Sequence, residues 1–139
     1  MNMNDLIYSK APEFLTELNV SLKGECVWRL DDVLIYQSDI LGWIEVPIGF
    51  ETDLASVPRI PFFYEAWGNR AHREAVLHDY LYRFDSWPQA TKDEADRVFL
   101  EAMKSRGVRW WIRQGMYSGV KWFGGRAFHC TSVRAELWK

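Results

Sequence analysis

Thr91-Lys92-Asp93-Glu94-Ala95-Asp96-Arg97-Val98-Phe99-Leu100-Glu101-Ala102-Met103 carries the clearest structural instruction in the chain. Thr91 followed three residues later by Glu94 is a capping box, in which hydroxyl and carboxylate satisfy two orphan backbone donors reciprocally. Beyond it Ala95, Val98, Phe99, Ala102 and Met103 fall at i, i+3, i+4, i+7 and i+8, the stripe of a helix buried on one side, and Gly107 is a natural stop. The same rhythm recurs on either side. Arg70 to Arg83 places apolar residues at 71, 75, 76, 77 and 81, which predicts a helix packed on a sheet. A third helix is predicted from about Arg109 to Phe123, ending at Gly124-Gly125. Gly115 and Gly119, one turn apart within it, admit close approach of another element, while Arg113 and Lys121 argue against a membrane role for that spacing.

Upstream of the helices the pattern changes to alternation. Cys26 to Leu30 and Val33 to Gln37, separated by Asp31-Asp32, read as a hairpin; Trp43 to Val46 reads as a further strand stopped by Pro47. Ile48-Gly49-Phe50 then leads to Thr52 and Asp53. The first 24 residues give mixed signals, with Pro12 beside a weakly amphipathic stretch from Phe14 to Leu22, so residues 1–25 are expected to be an arm or a first strand. The predicted fold is α+β: a small antiparallel N-terminal sheet packed against about three C-terminal helices, with residues 26–139 as one domain.

The composition suits one packed core. Of 139 residues, 48% are hydrophobic and 16% aromatic, with eight Trp, which is the balance of a folded chain rather than a disordered one. A formal net charge of −2 disfavours a polyanionic partner, and the local basic stretches Lys104 to Arg113 and Lys121 to Arg134 read as solvated surface. Cys26 and Cys130 form no metal-ligand spacing and are expected to be reduced, although the sequence leaves a disulfide between them open. No stretch approaches the ~20 apolar residues needed to cross a bilayer, and no signal-peptide pattern is present, so the protein is expected to stay where it is made.

Chemistry concentrates at three places. Thr52-Asp53-Leu54-Ala55-Ser56-Val57-Pro58-Arg59 follows a strand, where a rigid sheet holds functional groups well. Asp53 there is either the cap of the following turn or a metal ligand or general base in a cleft. His78-Asp79 lies in the first helix, its two side chains about 100° apart around the axis, with His72 about two turns before Asp79 and Tyr82 one turn after His78. The bland alternative makes His78 a core histidine donating to a carbonyl and pairs Asp79 with Arg83. Asp96 lies at the edge of the second helix's apolar stripe, where it needs a partner, because burying it alone would cost several kcal/mol; His78 is the natural one if the two helices pack antiparallel across Phe84 to Ala90.

Should Asp53, His78, Asp79 and Asp96 converge, their like charges require a shared proton or a cation. Oxygen-rich ligands with one imidazole suit Mg²⁺, Mn²⁺ or Zn²⁺, and such an ion would make a nucleophile of water at neutral pH. Ser56 as a nucleophile would need His78 or His72 as its base. No nucleophile elbow, phosphate loop or HExxH is present.

The order Val46-Pro47-x-Gly49-Phe50-x-Thr52-Asp53-x-Ala55-Ser56-x-Pro58, then Ala75-Val76-Leu77-His78-Asp79-Tyr80-Leu81-Tyr82, then Ala95-Asp96-Arg97-x-Phe99, and last Met116-Tyr117 with Phe123-Gly124-Gly125, resembles the phage and prophage family known as domain of unknown function 1353. The resemblance covers about residues 26 to 127. It implies a bacteriophage or prophage origin and points to Asp53, Ser56, Pro58, Arg59, His78, Asp79, Tyr82 and Asp96, but it brings no activity with it. His72 and His129 fall outside the pattern.

Two function classes stay open. One is a small metal-dependent hydrolase acting on cell-wall peptide or a nucleotide, with Ser56, Arg59 and Tyr82 as binding residues. The other is a virion or tail component, or a protein that blocks a host enzyme, in which the polar cluster only fixes the fold. Trp110, Trp111, Trp122 and Trp138 exceed what one small core hides, so the third helix is expected to self-associate or to meet a protein partner. The expected location is the cytoplasm of a bacterial host or the virion.

Overall fold

The computed structural model describes residues 12–24, 27–52 and 72–123. Its elements are strands β1 (Glu13–Phe14), β2 (Val20–Gly24), β3 (Val27–Leu30), β4 (Leu34–Ser38), β5 (Gly42–Val46) and β6 (Glu51–Thr52), then helices α1 (His72–Leu81), α2 (Lys92–Ser105) and α3 (Trp110–Phe123). The class is α+β. Cys26, Asp53, Ser56, Pro58, Arg59, His129, Cys130 and Trp138, with the expectations attached to them, lie outside the described residues.

The strands form two antiparallel three-stranded sheets, in the orders β1-β4-β5 and β2-β3-β6, rather than one sheet. The expected hairpin across Asp31-Asp32 is therefore not a hairpin: β3 pairs with β2 and β6, and β4 with β1 and β5. The two aspartates explain why. Asp31 gives its amide to Asn19 and receives the Ser21 hydroxyl at 2.6 Å, while the Asp32 carboxylate accepts the amide of Val33. They hold a corner between sheets. The tight reversal lies at Ser38 to Gly42, where Gly42 has φ +77° and the Ser38 hydroxyl accepts the amides of Ile40 and Leu41. The segment expected to be an arm or a first strand supplies β1 and β2, one to each sheet.

Alternation then sorts the faces. Leu34, Tyr36 and Ser38 of β4 are buried with Ile44 and Val46 of β5, while Trp43 and Glu45 face out. The register sets Leu34 opposite Val46 and Tyr36 opposite Ile44, so one face of this sheet is continuously apolar. That face meets α1 and α2 in a core that includes Val76, Leu77, Leu81, Ala95, Val98 and Ala102.

Helix α2 is the axis of the fold. Both halves of its capping box form, Glu94 N to Thr91 Oγ1 at 3.2 Å and Thr91 N to Glu94 Oε1 at 3.0 Å. At its other end Gly107 takes φ +76°, and the amides of Val108 and Gly107 bond to the carbonyls of Met103 and Lys104, a Schellman motif. Beside the first core, Phe99 and Met103 join Ala75 of α1 and Ile112, Met116 and Val120 of α3 in a second one. Among the described residues no helix is long and apolar enough to cross a membrane.

Candidate functional site

Helices α1 and α2 run antiparallel, which sets the middle of α1 beside the first turns of α2. His78 and Asp96 meet there, Nε2 to Oδ1 at 2.8 Å, and each is 1% exposed. The same carboxylate oxygen accepts the hydroxyl of Tyr82, one turn beyond His78 on α1. The other oxygen accepts Lys92 Nζ at 2.7 Å, from one turn earlier on α2. Lys92 also donates to the carbonyls of Val120 at 3.0 Å and Lys121 at 3.1 Å. Those belong to the last turn of α3, where carbonyls lack helical partners and a cation is favoured. One ammonium thus spends its three donors on joining Asp96 to the end of α3.

The imidazole is clamped as well as bonded. Its ring centroid lies 4.1 Å from that of Tyr82 and 4.7 Å from that of Phe99. Burial pulls the His78 pKa down, against the opposing effect of the Asp96 carboxylate, so the ring is neutral at pH 7. For Asp96, burial pushes the pKa up, but hydrogen bonds from His78, Lys92 and Tyr82 outweigh it and hold the carboxyl below the usual range. A neutral imidazole facing an ionised carboxylate donates from Nε2, which leaves Nδ1 as a bare lone pair. Nδ1 is buried and has no hydrogen-bond partner among the described residues.

Asp79 points elsewhere. Adjacent on the helix, it is half-buried and accepts the hydroxyl of Thr52, the last residue of β6. Asp53 follows Thr52 directly in the sequence and lies outside the described residues. Arg83 does not pair with Asp79; it forks onto Asp85, at 2.8 and 3.0 Å, with its guanidinium 5.5 Å from the centre of the Phe50 ring. Nor, among the described residues, does His78 donate to a carbonyl.

Of the residues singled out in the sequence, His78, Tyr82 and Asp96 thus come together in one buried network, and Asp79 lies beside it on the side of β6. Among the described residues no group of three or more His, Cys, Asp or Glu side chains is placed to hold a metal ion. Two contributors went unread: Lys92 and Thr52. Lys92 was legible, since it stands four residues before Asp96 on a helix whose start is unambiguous; nothing local marks the Thr52 hydroxyl. No curated protein and no solved structure matches the chain. Residues 28–120, more than half of the sequence, match one family, and the protein belongs to it: the family described as "Protein of unknown function (DUF1353)".

Proposed function

We propose that this is a phage- or prophage-encoded hydrolase whose working atom is His78 Nδ1. One observation carries the reading: an imidazole whose Nε2 is held by a carboxylate at 2.8 Å while its Nδ1 is buried with no partner among the described residues. A metal-bound or proton-accepting histidine needs that arrangement, because the carboxylate fixes the tautomer and orients the ring. Asp96, whose two oxygens are engaged by three donors, holds His78 rather than ligating. Tyr82 spends its hydroxyl on Asp96 and serves the same end. The oxygen ligands are Asp79, which accepts the Thr52 hydroxyl, and Asp53, the next residue in the sequence after Thr52, with Ser56 and Arg59 as substrate-binding residues. A divalent ion there, Zn²⁺, Mg²⁺ or Mn²⁺, would supply a hydroxide at neutral pH. The substrate is cell-wall peptide or a nucleotide, and the site of action is the host cytoplasm or the particle.

The test is elemental analysis of protein purified without chelator, together with Asp79→Ala and with assays on peptidoglycan fragments and nucleotides. A stoichiometric ion that the variant loses, accompanied by hydrolysis that it also loses, is the expected result. No ion and no hydrolysis in the parent sinks the proposal.

A second reading is favoured by the Lys92 clamp. Groups so thoroughly satisfied are what a purely structural network requires, and the protein is then a virion component or a host-enzyme blocker that works by contact. Trp110 and Trp122 of α3, 67% and 75% exposed, would supply the surface for a partner or for self-association. A strict monomer at high concentration in sedimentation, with no partner bound, counts against it.

A further inference from the structure

Glu74 is the other deeply buried ionisable group of α1, one turn before His78, and the site above makes no use of it. It is 0% exposed, and neither carboxylate oxygen has a hydrogen-bond donor among the described residues. Two cations bear on it, Arg106 from the C-terminal cap of α2 and Arg73 from its own helix. Arg73 is engaged by Glu17 in the connection between β1 and β2. Glu101, on α2, is spent on the Tyr36 hydroxyl at 2.8 Å and the Asp39 amide at 3.3 Å. That leaves Arg106, whose Nη1 stands 3.5 Å from Glu74 Oε1. A charge-assisted hydrogen bond would need about 2.7–2.9 Å.

A carboxylate at this depth without a hydrogen-bond donor is costly, so the group keeps a proton well beyond the usual pH. Burial pushes its pKa up to about 7, against the weaker pull of its own backbone amide and the two guanidiniums. Near neutrality, then, the carboxyl loses its proton to solvent while a guanidinium waits within an ångström of bonding distance. The backbone of Arg106 is fixed by the amide hydrogen bonds around Gly107, which leaves its long side chain as the part that would move to close the gap.

We propose that Glu74 and Arg106 form a proton-operated latch between the first turn of α1 and the C-terminal cap of α2: protonated Glu74 sits neutral with Arg106 held off, and deprotonated Glu74 takes Arg106 into a direct charge-assisted hydrogen bond. The device stands independently of any hydrolytic role for His78.

Carbon-13 NMR of the Glu74 carboxyl, followed from acid to mildly alkaline pH with the Arg106 Nε–H signal alongside, tests it. Both signals are expected to move with one midpoint near neutrality. In Arg106→Gln the Glu74 midpoint rises, because the closing partner is gone, and in Glu74→Gln the Arg106 signal stops responding. A Glu74 that titrates in the ordinary carboxylate range, or an Arg106 signal indifferent to its ionisation, overturns the latch. Should Glu74→Gln fail to fold, the native and Arg106→Gln titrations decide the matter alone.

Discussion

The α1–α2 interface buries a carboxylate at each end and treats the two in opposite ways. At the start of α2, Asp96 collects His78, Tyr82 and Lys92 and stays ionised; near its end, Glu74 has no hydrogen-bond donor among the described residues and Arg106 stands off at 3.5 Å. Both are essentially excluded from water. Depth is thus the same and satisfaction is not, and the difference sets the sign of each group's effect on stability. Asp96 has a depressed pKa, so it stabilises the fold above the unfolded carboxylate range and the gain is lost as pH falls. Glu74 has a raised pKa, so the native chain holds a proton that the unfolded chain releases, and stability falls as pH rises between about 4.5 and about 7.

The largest effect is expected from breaking the satisfied end. Asp96→Ala strands the buried His78 Nε2 and the Tyr82 hydroxyl and takes the carboxylate from the half-buried Lys92 ammonium, and removal of one partner from a buried ionic network costs on the order of 3–5 kcal/mol. Urea denaturation near pH 7 measures it. A loss below about 1 kcal/mol would mean that the three donors are readily served by water, and that the network is not what joins the helices.

Glu74→Gln sharpens the comparison from the other side. A shift from 4.5 to about 7 corresponds to roughly 3 kcal/mol at most in favour of the neutral form. The variant is therefore expected to unfold at a higher temperature than the parent at alkaline pH, with the difference shrinking as pH falls and vanishing below about 4.5, where the carboxyl is protonated in both folded and unfolded chains. A gain of equal size at every pH would point to packing rather than charge.

The same contrast separates what could be read from the sequence from what could not. Asp96 was legible because a carboxylate at the edge of an apolar stripe on an unambiguous helix demands a partner, and the antiparallel return of the chain supplied His78. Glu74 sits in His72-Arg73-Glu74-Ala75, which reads as the solvated start of a helix, and only the position of the α2 cap makes it buried. The sheets show the limit in another form. Alternation located the strands over 27–46, but period two does not say which strand pairs with which. The bend at Asp31-Asp32 resembles a hairpin turn until its bonds to Asn19 and Ser21 are seen. As for the site, His78, Tyr82 and Asp96 were recognisable as motif positions and the Lys92–Asp96 pair follows from helical spacing, whereas the reach of Lys92 to the α3 carbonyls depends on a contact between residues about thirty positions apart.

A smaller effect probes how the satisfied end is built. Thr91→Ala removes one half of the capping box and is expected to cost about 1 kcal/mol. Because Lys92 and Asp96 both stand in the first turns that this cap secures, amide hydrogen exchange should quicken there and at the carbonyl partners in the last turn of α3, while the Glu74 end stays unchanged. Equal quickening at both ends would show that α2 opens as a unit, and that the two carboxylates are not separable.

The smallest change in stability is expected at Trp122, and there the absence of an effect is informative. The side chain is 75% exposed and lies in the last turn of α3, beside the carbonyls of Val120 and Lys121 that hold Lys92. Trp122→Ser should alter stability by no more than about 0.5 kcal/mol, as surface substitutions do. If α3 associates with a second copy or a partner through its tryptophans, the same variant should abolish that association in sedimentation while leaving the unfolding curve in place. A clear loss of stability in dilute monomer would instead make Trp122 part of the packing that secures the α3 terminus. The Lys92 clamp would then owe its geometry to that tryptophan as well as to Asp96.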